Sequence, residues 1–150
     1  QKFDKRKIKT NTIKEPTKEV AKYLVEKIKE YDKKYDSFCL LFGGETTTEV
    51  KGTGQGGRNQ ELALRLLDHT LFSDKISILI AGSDGIDGNS PATGAFLESN
   101  IYQKMKTKGL DTKAYLKNSD SYTFFKAMDS EFTTGATGTN VMDFMIILKK

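Results

Sequence analysis

A chain of 150 residues, 37% of them hydrophobic, is long enough for one core and too short for two ordinary domains. No apolar run approaches the roughly 18 residues of a membrane span, Gln1-Lys2-Phe3 opens no signal peptide, and the lone Cys39 excludes an internal disulfide; a cytoplasmic protein without a membrane partner is expected. The net charge of +4 is concentrated in residues 1–36, where 12 Lys/Arg face 7 Asp/Glu, but these lysines alternate with acids at helical spacing and no aromatic reading surface accompanies them, so a solvated helix face is favoured over a nucleic-acid partner.

Residues 1–15 read as a linker or an edge segment. They begin without a methionine, as a fragment of a longer protein would. Pro16-Thr17 marks a helix start, and Val20, Leu24, Ile28, Tyr31 and Tyr35 follow on one helical stripe, with the end expected near Lys34. The apolar run 37–42 predicts a strand buried on both faces and ending at Gly43-Gly44. Thr46–Lys51, rich in β-branched residues, predicts a second, more exposed strand. Glycines 52, 54, 56 and 57 then lead to Arg58 and a helix over about 59–72, in which His69 reads as surface structure. Ile76–Ala81 predicts another buried strand, 94–106 a helix, and Asn118-Ser119-Asp120 the cap of a helix carrying Tyr122, Phe124, Phe125 and Met128. A polar loop over 134–140 and a closing strand over 144–148 complete the chain.

Strands alternating with helices predict a single α/β domain, three-layered, with a mixed β-sheet flanked by helices. Three polar, glycine-bearing loops, at 43–58, 82–94 and 135–143, are candidates for one shared cleft. Arg58 is the sharpest candidate within it. Glycine backbone and a helix start favour an anion, and a guanidinium adds a two-pronged donor suited to phosphate or carboxylate. The bland alternative is a surface pair with Glu61, one helical turn away.

Asp84 and Asp87 could ligate Mg²⁺ or accept hydrogen bonds from a substrate hydroxyl; capping of turns is the competing reading. Thr137, Thr139, Asn140 and Asp143 offer hydroxyls, an amide and a carboxylate to a polyphosphate or ribose, again against plain turn chemistry. Glu45, directly after Gly43 and Gly44, could face a ligand, as could the loop backbone at Gly54, Gly56 and Gly57 and the first helical residue Asn59. Gly52, Gly54 and Gly57 also satisfy G-x-G-x-x-G, but the preceding 46–51 segment is too polar for the first strand of a dinucleotide-binding unit.

Read together, GGETTTEVKGTGQGGRNQELAL, SDGIDGNSPATGA, NSDSYTFF and TGATGTNVMDFMIIL resemble, in order, the MOFRL domain, the C-terminal domain of the class II glycerate 2-kinases, some of which were named hydroxypyruvate reductases. The resemblance covers about residues 37–148 and implies that residues 16–150 are the C-terminal domain of a larger two-domain enzyme. It implies transfer of phosphate from ATP, with Mg²⁺, to the 2-hydroxyl of D-glycerate in a cleft shared with an N-terminal domain. Arg58 falls on an arginine taken to be essential, Asp84 and Asp87 on the DGIDG acids, and Thr139, Asn140 and Asp143 on the last loop. An essential lysine belongs to the N-terminal domain, so the 150 residues alone are expected to be inactive. Pro91 and Ala136 depart from the family pattern, which shows an aspartate and a proline there. Two alternatives stand beside this reading: an NAD-dependent hydroxypyruvate reductase domain, and a non-catalytic oligomerisation module, with a homodimer left open.

Overall fold

A computed structural model of the chain describes residues 5–150, with side chains from Ile13 onward; the first four residues of the expected linker or edge segment lie outside the described residues. Six strands form one mixed sheet in the order β1-β2-β6-β3-β4-β5. These are β1 (Lys5–Ile13), β2 (Phe38–Gly44), β3 (Ile76–Gly82), β4 (Gly94–Leu97), β5 (Glu131–Phe132) and β6 (Asp143–Lys149). β1 pairs parallel to β2, and every other pairing in the sheet is antiparallel. The last strand, β6, slots between β2 and β3, which brings the chain's end to the middle of the fold.

Helix α1 (Thr17–Lys34) starts after Pro16 and buries Val20, Leu24, Ile28 and Tyr31, the stripe read from the sequence. Tyr23 and Tyr31 lay their rings edge-on against Phe42 and Phe38, which fixes α1 to β2. Helix α2 (Arg58–His69) is enclosed on nearly all sides: Leu62, Ala63, Leu64 and Leu66 are fully buried between the sheet, α1 and the short helices α4 (Thr112–Lys117) and α5 (Ser121–Ala127). Burying such aliphatic side chains stabilises by about 1.5–3 kcal/mol each before entropy is subtracted.

Three expectations are corrected. Thr46–Lys51 forms no strand; a single bridge joins Thr47 to Pro16, because neighbouring strands leave it no ladder to extend. The 94–106 region divides: Gly94–Leu97 is β4, hydrogen-bonded to β3, and helix α3 runs from Ile101 to Lys108. Tertiary pairing overrode a weak helical pattern there. The short α4 and β5 gave no periodic signal and were not anticipated.

β2 is also not buried equally on both faces. Its residues alternate buried and half-buried, as do those of β6, and the helix contacts gather on the Phe38, Leu40 and Phe42 side. The expected single α/β domain with a mixed sheet and packed helices is what the chain forms.

Candidate active site

The carboxyl ends of β2 and β3 point the same way, and both end in glycine. Between them in register, Gly44↔Asp143↔Gly82, sits Asp143 at the start of β6. A side chain at Gly82 would stand against the Asp143 carboxylate, and Arg58 reaches that carboxylate from the first position of α2. Arg58 Nε donates to Asp143 Oδ2 at 2.6 Å and Nη2 to Oδ1 at 3.1 Å, while Nη1 lies 3.0 Å from Glu45 Oε1. Asp143 is buried; Arg58 and Glu45 remain 32% and 53% exposed at the side chain. The Asp143 hydrogen bond, more than any other influence, raises the guanidinium pKa further, so Arg58 is a permanent cation. The surface pair with Glu61 does not form: Glu61 accepts from Thr17 Oγ1 and Arg65 Nε instead, tying α1 to α2 beneath the site.

The start of α2 already has its anion. Asp87 Oδ1 accepts from the Asn59 backbone N–H at 3.0 Å and from Asn59 Nδ2 at 3.3 Å, and Oδ2 accepts from the Gln60 N–H at 2.8 Å. A carboxylate 28 residues away thus caps the helix across the loop, in place of the N-cap Gly57, which has no side chain to do it. Burial dominates the opposing hydrogen bonds and pushes the Asp87 carboxyl up to about 6.

The glycine loop is likewise held by neighbouring turns. Gln55 N–H donates to Asp120 Oδ1, Thr53 N–H to Asn118 Oδ1, Gly54 N–H to the Asn118 carbonyl and Gly56 N–H to Asn89 Oδ1. A Cβ at Gly54 would stand 2.3 Å from Asp120 Cβ, and one at Gly57 2.3 Å from Asp87 Oδ1. The glycines therefore permit close approach to the 118–121 turn and to Asp87. The N–H groups of residues 53–56 bond to the 118–120 turn and Asn89 and do not turn into the cleft.

Of the other candidates, Asp84 Oδ1 accepts from Ile86 N–H in its own turn. Asp84 and Asp87 line the same cleft, yet no group of three or more His, Cys, Asp or Glu is arranged to hold a metal among the described residues. The Thr137 hydroxyl and N–H donate to the Ser83 and Asp84 carbonyls and tie the last loop to the 82–94 loop, while Asn140 Oδ1 accepts from the Met142 N–H; Thr139 is exposed beside them, and none of the three lines the cleft. Gly43 and Gly44 lie in β2, where Gly44 passes against the backbone of Ile13. Asn118, Asp120 and Asn89, which hold the glycine loop in place, were not singled out as site residues. Asn118 and Asp120 stand in the NSDSY stretch, whose composition also fits a helix cap, and Asn89 follows the DGIDG acids in a stretch with no separate signal.

The cleft has a volume of about 580 Å³ and is bounded by Thr46–Thr48, Val50, the glycine loop, Arg58 and the 84–89 loop. Thr46 and Thr48 each carry a buried hydroxyl without a hydrogen-bond partner on its wall. The arrangement offers one fixed cation, polar hydroxyls and two apolar side chains, Val50 and Ile86, 74% and 55% exposed at its rim. It suits a small anionic ligand better than a flat macromolecular surface.

The MOFRL family profile matches residues 38–143. A D-glycerate 2-kinase of Thermotoga maritima is 44% identical over 108 residues, covering 72% of this chain and 26% of the relative; a Danio rerio glycerate kinase is 41% identical over 116 residues, 73% and 23%. Among solved structures, a Thermotoga maritima glycerate kinase superposes with a TM-score of 0.90 at 36% identity, and a Pyrococcus horikoshii protein with 0.88 at 32%. Both alignments cover 99% of this chain and only 36% and 35% of the solved chains. The chain spans about a quarter of the length of the curated relatives it matches.

Proposed function

This chain belongs to the MOFRL family, and from that premise we propose that it is the C-terminal part of a glycerate 2-kinase, working with an N-terminal domain across the cleft that holds Arg58. The observation that carries the reading is the guanidinium itself. It is anchored on one edge by buried Asp143, yet a third of it faces a cleft of the right size for a small phosphorylated acid.

In the reaction, the 2-hydroxyl oxygen of D-glycerate bonds to the terminal phosphorus of ATP and releases its proton to solvent, the bridging P–O bond breaks, and ADP leaves with that electron pair. Such a transfer needs positioning and charge neutralisation more than covalent chemistry. Arg58 neutralises either the transferring phosphoryl or the glycerate carboxylate. Asp143 holds the guanidinium plane; Asp87 and the 118–121 turn fix the helix and loop that deliver it. The cleft hydroxyls of Thr46 and Thr48 are suited to substrate oxygens. Both oxygens of Asp87 are engaged by α2, so Asp84, on the cleft wall, is the carboxylate that would hold Mg²⁺ together with water and substrate phosphates, where the ion would neutralise phosphoryl charge.

The test is a coupled assay of ADP release with D-glycerate and ATP, run on the longer polypeptide and on these 150 residues. Turnover by the former that Arg58→Ala abolishes, with none by the latter, is the expected result. Unchanged kcat/KM in the Arg58→Ala variant would leave only a non-catalytic, oligomerising role.

A further inference from the structure

The sheet presents two apolar faces, and the helices cover one. On the covered face, register aligns Leu40, Ile147 and Ile78, all buried. On the other face the same ladders align Leu41, Ile146, Leu79 and Phe96 in one row, with Leu148 and Phe144 to either side. All six are half-buried, and none belongs to the core cluster or packs against it. A sheet meant to meet water on one side carries polar residues there. Here the outward positions of β2, β3 and β6 hold no charged residue at all. A contiguous apolar surface of this kind marks a contact.

We propose that this face is the seat of a third layer, supplied by amphipathic helices from the remainder of a longer polypeptide. The proposal rests on the two-domain reading above. Its occupant is argued from length: the solved neighbours contain this whole fold in 36% and 35% of their chains, so roughly twice as much polypeptide stands beside it in each. A mostly antiparallel sheet leaves one face to water only when that face is polar, so aliphatic rows on both faces call for a packed layer on each.

The experiment reads no kinase activity, so its outcome is independent of whether glycerate is the substrate. The 150-residue chain is titrated with 1-anilinonaphthalene-8-sulfonate and sized by light scattering, alone and as Leu79→Lys. The expected result is dye binding by a monomer, reduced severalfold by the substitution with the far-UV circular dichroism unchanged. In the longer polypeptide, dye binding is expected to vanish and Leu79→Lys to lower the unfolding midpoint by about 5 °C or more. If Leu79→Lys does not fold, Leu79→Thr, polar but strand-compatible, takes its place. A dimer that the substitution splits would assign the face to a second copy and overturn the proposal. So would a chain that binds no dye, or a longer polypeptide whose midpoint the substitution leaves unmoved.

Discussion

Arg58 and Asp143 are 85 residues apart in sequence and joined by two parallel hydrogen bonds of 2.6 and 3.1 Å. The carboxylate is buried and the guanidinium is only partly so, which makes the acid the anchor and the base the working group. Asp143→Asn keeps the shape but removes the charge, stranding a half-buried cation. Loss of such a partner costs about 3–5 kcal/mol when fully buried and less here, where Arg58 meets solvent and Glu45. A fall of about 1–3 kcal/mol in urea-unfolding stability is expected, together with a loss of turnover in the longer enzyme as large as that of Arg58→Lys. Lysine keeps the charge yet cannot span both carboxylate oxygens.

Glu45 holds the solvent side of the same guanidinium, where an anionic ligand would arrive. Glu45→Gln should therefore tighten binding of inorganic phosphate severalfold in calorimetry, at low salt more than at high. Asp84→Asn, with the same change of charge but no contact with Arg58, serves as the control and should shift affinity less. Equal effects from both would mean that Glu45 acts only through net charge.

Asp87 makes stability depend on pH with an unusual sign. Its carboxyl titrates near 6 in the fold against 3.8 unfolded, so between those values the folded state binds the extra proton. This residue's contribution is thus most favourable below about pH 4 and is lost as pH rises through 6. The span is at most about 3 kcal/mol. Urea unfolding of the wild type at pH 7 and 5, compared with Asp87→Asn, should show a pH-dependent part that the variant lacks.

Gly57 touches Asp87 so closely that a methyl group would stand 2.3 Å from its Oδ1 and 2.4 Å from its carbonyl carbon. Gly57→Ala should force the 84–88 loop away, uncap α2 and destabilise by about 2 kcal/mol or more. Thermal unfolding reads the loss. Gly109→Ala, in open space but at φ +63°, should cost about 1–2 kcal/mol from backbone strain alone and leave phosphate binding intact.

Much of the fold was legible because it rests on local rules. The α1 stripe, the apolar runs of β2, β3 and β6, and the glycine-to-helix join before Arg58 each follow from side-chain periodicity or backbone freedom within a dozen residues. What failed was also local in cause: β4 is too short to show alternation, and Thr46–Lys51 has strand-like residues but pairs only at the single Thr47–Pro16 bridge. At the site, Arg58 and the two aspartates were visible as types in suggestive loops, whereas their roles were not.

Residue identity by itself determined that an arginine would stand at a glycine-rich helix start with acids near it in some loop, since those propensities act along the chain. Only the tertiary structure decided which acid does what. Asp87 spends its charge on the α2 N–H groups, Asp143 on the guanidinium, and Glu45 pairs with the same guanidinium at the water's edge, because β6 inserts between β2 and β3 and carries residue 143 beneath residue 58. Pairing across 85 residues is a property of strand order, and strand order is a competition among whole-chain packings that no short window records.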